Sequence, residues 1–140
     1  MNGSGLDTEA RIAAIKKAYT ALNLGDVPGF LSLLDPEVER VEPSGFPLSG
    51  TYRGIEAVRP HVEQARASWA EGACEPERFV AAGDHIIAIV QVKVRLRSES
   101  DWREGRVADL FTFRGDKVVH FQTFTSLDEA LHTIQAGGAG

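Results

Sequence analysis

A chain of 140 residues with 43% apolar and 25% charged side chains can build one hydrophobic core but not two, so residues 1–140 read as a single domain with its ordered core over about 7–135. The net charge of −5 and the absence of a basic run argue against nucleic acid. Cys74 is the only cysteine, which excludes an intrachain disulfide and a thiolate metal cluster and makes a reducing, cytoplasmic setting the default. No stretch has the length of a membrane span, and Met1–Gly5 lacks the apolar segment of a signal peptide.

Flexible ends are expected at residues 1–6 and 136–140. Asp7 is placed to cap a helix over roughly 8–24, whose apolar stripe of Ile12, Ile15, Tyr19 and Leu22 recurs every three or four residues. Gly25 ends it. Asp26 then caps a second helix with Pro28 in its first turn, running through Phe30, Leu31, Leu33 and Leu34 to a stop at Asp35-Pro36. Val38 to Glu42 predicts a short strand, followed by a loop holding Pro43, Gly45, Pro47 and Gly50. A third helix is expected over roughly 55–71, kinked or started late by Pro60.

The second half is strand-rich. A short strand is predicted over Arg78–Ala82, with a turn at Gly83-Asp84. The long strand from His85 to Arg97 puts Ala88, Val90, Val92, Val94 and Leu96 on one face and Ile87, Ile89, Gln91, Lys93 and Arg95 on the other. A loop around 98–105 leads into Val107–Phe113, and Gly115-Asp116 turns this into a last strand, Lys117 to Thr125. Ser126-Leu127-Asp128-Glu129 is a capping box for a terminal helix. Helices before a meandering antiparallel sheet make the class α+β.

Asp109 carries the most information. It shares a strand face with Phe111 and Phe113, so its carboxylate must ion-pair, keep its proton, or serve a pocket that uses a neutral acid. Hairpin register decides. A hairpin centred near Glu99 sets Asp109 opposite Ile89, as a neutral pocket acid; one centred near Asp101 or Trp102 sets it opposite Lys93 or Arg95, as an ion pair. The first arrangement is preferred, and both remain open.

The element order, together with Asn23-x-Gly25-Asp26, Gly50-x-x-x-Gly54 and Phe111-Thr112-Phe113-Arg114 before Lys117-Val118-Val119, resembles the nuclear-transport-factor-2-like superfamily, and within it the SnoaL-like and ketosteroid-isomerase-like proteins. The resemblance covers residues 8 to about 133. It implies a cone-shaped, curved antiparallel sheet wrapped around a pocket closed by three helices, a cystatin-like α+β barrel. The position of the isomerase general base falls on Glu42, with Pro43 matching the proline that follows it. The oxyanion-hole acid falls on Asp109. The oxyanion-hole tyrosine falls on Ala18, and Tyr19 lies one residue along, about 100° round the helix.

Such a pair of acids suits proton transfer next to a carbonyl, which needs a base and a donor for the developing enolate charge. A carboxylic acid kept neutral by apolar surroundings can be that donor. The expected function is therefore a cofactor-independent enzyme (isomerase, cyclase or dehydratase type) acting on an apolar carbonyl compound. Glu42 is its base and Asp109 its donor, and Tyr19, Phe30, Trp69, Ile89, Phe111 and Phe121 are the expected walls. The competing expectation is a non-catalytic ligand-binding or dimerisation module of the same fold. His61, His85, His120 and His132 have no metal-ligand spacing, so no metal is expected. Ser44 and Ser49 lack a nucleophile elbow. The Ala88–Val94 face, free of charge, is expected to pack outward as a homodimer interface beside His120, Gln122 and Phe124.

Overall fold

The computed structural model describes residues 4–138. Helix α1 (Ser4–Asn23) and the short α2 (Val27–Leu31) precede strands β1 (Leu34–Glu42) and β2 (Gly50–Arg53). Helix α3 (Ile55–Ala67) leads to β3 (Trp69–Ala82), β4 (His85–Leu96), β5 (Arg103–Arg114) and β6 (Lys117–Phe124), and α4 (Leu127–Gly138) ends the described chain. The six strands form one curved sheet in the order β2-β1-β6-β5-β4-β3. All neighbours are antiparallel except β1 and β6, which run parallel. The fold is α+β.

Local chemistry explains the boundaries. Gly25 takes φ 84°, the left-handed geometry that ends α1, and the Asp26 carboxylate accepts from the Gly29 amide to start α2. Asn23 bridges α1 to β3: its amide donates to the Cys74 carbonyl and its carbonyl accepts from the Cys74 amide, both at 2.9 Å. Arg66 caps the same helix end, donating to the carbonyls of Leu22 and Asn23. At the other end of the chain, Ser126 accepts from the Glu129 amide and opens α4.

Several expectations need correction. Ser4–Leu6 and Ala136–Gly138 belong to helices, and the rest of the expected flexible ends lies outside the described residues. Helix α2 is five residues long, because β1 begins at Leu34 and carries Pro36 through an irregular pairing between Leu34 and Glu39. Strand β2 forms where a loop was expected. Strand β3 takes over Trp69–Glu77 as well, where the expected strand began only at Arg78 and the expected third helix ran to about 71. Gly72 and Pro76 are tolerated because β3 is an edge strand, and its pairing shifts between Trp69 and Glu71 and again between Pro76 and Arg78. A Cβ at Gly72 would lie 2.2 Å from the Lys93 carbonyl oxygen.

The largest correction is one of parity. Asp109 pairs with Ala88, neither with Ile89 nor with Lys93 or Arg95. A shift of one residue exchanges the two faces of a strand. Val90, Val92, Val94 and Leu96 therefore point inward and line a cavity. The outer face holds Ile87, Ile89, Ala108 and Leu110, and α4 packs on part of it through Ala130. The Ala88–Val94 face, expected to pack outward, faces the cavity instead. Among the described residues, no helix is long and apolar enough to cross a membrane.

Candidate functional site

Between the inner face of the sheet and helices α1 and α3 lies a cavity of about 620 Å³. Its walls are apolar over most of their extent: Phe30, Val90, Val92, Leu96, Trp69 and Phe121 all contribute. Two polar clusters interrupt them.

The first centres on Asp109, which is 5% exposed. Thr123, its partner across the β5–β6 ladder, donates to Oδ1 at 2.6 Å. The Tyr19 hydroxyl from α1 bonds to Oδ2. Helix α1 can deliver Tyr19 because Ile15, Ala18 and Tyr19 are all buried on the core side. Phe30 and Phe111 meet the tyrosine ring edge-on at 6.1 and 6.2 Å. Burial pushes the Asp109 carboxyl above its ordinary range. Arg40 and the hydrogen bonds from Thr123 and Tyr19 oppose the rise, and Glu42 adds to it. Burial, and then the neighbouring Asp109, holds the Tyr19 phenol well above its ordinary value, so it stays protonated.

The second cluster centres on Glu42 at the end of β1. One carboxylate oxygen lies 3.1 Å from the Arg40 guanidinium, and the other lies 3.3 Å from Nε2 of His61 on α3. Arg40 sits 3.9 Å above the Phe121 ring and donates to the Val41 and Phe121 carbonyls. His61 is 6% exposed and stacks on Tyr52 at 3.9 Å. Both clusters border the same cavity.

The expected site residues are thus placed as follows. Glu42, Asp109, Tyr19, Phe30, Trp69 and Phe121 line the cavity. Phe111 lies behind the wall, stacked on Phe121 at 4.6 Å with its plane 11° away. Ile89 is on the opposite face of the sheet, a consequence of the register, and packs beside α4. Neither expected partner of Asp109 reaches it: Lys93 lies over the Trp102 ring, and Arg95 pairs with Glu71. The sequence reading missed Arg40, His61 and Thr123. Arg40 had a signal, since it stands two residues before Glu42 on the same strand face. His61 had none, because its partners come from β1 and β2. Cys74 also borders the cavity, and burial pushes its thiol up to about 12. Among the described residues, no group of three or more His, Cys, Asp or Glu is placed to hold a metal.

Comparison with known proteins agrees with this architecture. No curated protein matches the chain. Among solved structures, an NTF2-like protein from Burkholderia pseudomallei K96243 aligns at a TM-score of 0.75 and 21% identity, over 88% of this chain and 95% of the other. TerC, co-crystallised with polyporic acid, aligns at 0.73 and 22%, over 89% and 96%. A protein with a ketosteroid isomerase-like fold from Catenulispora acidiphila DSM 44928, in complex with trimethylamine, aligns at 0.71 and 16%, over 85% and 89%. These likenesses establish the fold. The model of the SnoaL-like domain matches residues 15–121, which is most of the chain, and the protein belongs to that family.

Proposed function

We propose that this protein is a cofactor-independent enzyme that moves a proton on an apolar carbonyl compound, as an isomerase, cyclase or dehydratase does. The observation that carries the reading is the buried Tyr19–Asp109–Thr123 cluster, which shares a cavity with Glu42. A buried acid with a raised pKa is a donor in waiting. With its proton on Oδ2, Asp109 donates to the Tyr19 oxygen and leaves the phenol hydrogen for a ligand oxygen. The ligand C–H then breaks toward Glu42, and the electron pair moves onto the oxygen held by Tyr19, whose own oxygen Asp109 supports. Apolar walls suit a ring system with one polar end. The two neighbours crystallised with small molecules, polyporic acid in one and trimethylamine in the other, are consistent with a fold that receives such ligands.

A titration with the fluorescent phenol 2-naphthol tests the donor role. Asp109→Ala should weaken binding, and loss of one such donor typically costs about 100-fold or more in turnover. Glu42→Gln should leave naphthol binding intact or improved while abolishing proton transfer. Unchanged affinity in Asp109→Ala would move the reading to a non-catalytic binding module. One observation favours that second reading: both oxygens of Glu42 already have partners, in Arg40 and His61. The proposal keeps a homodimer through the outer sheet face around His120 and Gln122, now that the inner face is taken by the cavity, and a cytoplasmic location in which Cys74 stays reduced.

A further inference from the structure

We infer that His61 is a second proton-transfer residue, acting through Glu42: it takes up the proton that Glu42 removes from the ligand and returns it. The inference rests on the proposed role of Glu42 as base and adds a partner to it. Its ground is geometric. The imidazole is buried in the cavity wall, its plane is set by the Tyr52 ring at 3.9 Å, and its Nε2 stands 3.3 Å from the Glu42 oxygen that Arg40 does not hold. The four side chains come from three elements. Glu42 and Arg40 belong to β1, Tyr52 to β2 and His61 to α3. A solvated histidine needs no such convergence. The other titratable groups bordering the cavity are Tyr19 and Asp109, already bonded to each other, Cys74 from β3, Arg66 from α3, and Arg103, Glu104 and Arg106 from β5; α2 offers none.

The step balances without a co-reactant. The ligand C–H bond breaks and its electron pair enters the enolate, whose oxygen is held by Tyr19 with Asp109 behind it. The proton forms an O–H bond on Glu42. It then passes to Nε2 of His61, giving an imidazolium beside a carboxylate that Arg40 also faces. Reversal delivers it to another ligand carbon, or to a departing hydroxyl. The chemical reason for a second site is that Glu42 cannot accept another proton while it still holds the first. With His61 in reach, Glu42 is freed to act again within one turnover. The imidazolium formed lies against the carboxylate and does not become an unpaired buried charge.

The test is exchange of the α-protons of 2-tetralone for deuterium in D₂O, followed by NMR at saturating ketone. The wild-type protein should catalyse exchange and Glu42→Gln should not. His61→Gln should slow it about 100-fold, the low end of what a general acid or base contributes, with 2-naphthol affinity unchanged. His61→Ala should be slow too, and added imidazole should restore part of its rate. Exchange by His61→Gln at the wild-type rate would overturn the role of His61 and leave Glu42 standing. A His61→Gln protein that loses naphthol binding, together with no imidazole rescue of His61→Ala, would show a structural residue and equally overturn it. No exchange by the wild-type protein would remove the Glu42 base and this inference together.

Discussion

Asp109 is paired with two hydroxyls and no cation, and that arrangement has a consequence for stability. Its folded pKa is raised by burial. Below the ordinary value near 3.8 the folded and unfolded chains both hold the proton, and the group has no effect. As pH rises through the window up to the raised value, the unfolded chain releases its proton and the folded one does not, so stability is lost with rising pH. Asp109→Asn removes this titration while keeping the shape, an oxygen for Thr123 and an amide for Tyr19. It should therefore melt higher than the wild type at pH 7, with the difference closing toward pH 3.5. A constant difference across that range in thermal melts would mean that Asp109 does not keep its proton in the folded state. Tyr19→Phe addresses the same cluster from the other side. It leaves the ring packed on Phe30 and Phe111 but removes the hydroxyl, so naphthol binding should weaken with little change in the core.

At the scale of elements, what the sequence made legible follows local rules, and what it hid depends on pairing. The stripe of α1, its stop at Gly25, the Asp26 cap and the alternation of β4 could all be read, because each is set by neighbours within a few residues. Strand β3 was largely invisible: Gly72 and Pro76 are excluded from ordinary strand interiors and are accommodated here only at an edge with two pairing shifts. The partner of Asp109 was missed by one residue, since a six-residue connection (97–102) fixes no register. Yet the same slip left Asp109 in the cavity, because both its own face and its neighbours Phe111 and Phe113 were read correctly. Helix α1 supplies an element-scale prediction. Arg66 holds two of its last carbonyls at 2.8 and 3.1 Å and lies 4.7 Å over Trp69. Arg66→Met keeps the apolar stem and loses the donors, and hydrogen bonds to a charged group contribute about 1.5–3 kcal/mol. A loss of that order in urea unfolding is expected.

For the whole molecule, the sheet separates two tasks. Its inner face carries the cavity and both polar clusters, while its outer face carries the small core under α4, with Ile87 and Ala130 fully buried and Leu110 2% exposed. Among the described residues, none of helix α4 lines the cavity. Stability and ligand binding should therefore be separable there, as they are not at α1, where Tyr19 serves both. Ala130→Asp places an unpaired charge against Ile87 and Leu110, and burying such a charge or expelling the helix to avoid it costs about 3 kcal/mol or more. The expected result is a protein that unfolds at markedly lower urea but, in the absence of denaturant, binds 2-naphthol with wild-type affinity. Equal loss of binding and stability would mean that the outer core sets the position of Asp109 through β5. The inner and outer faces would then act as one unit.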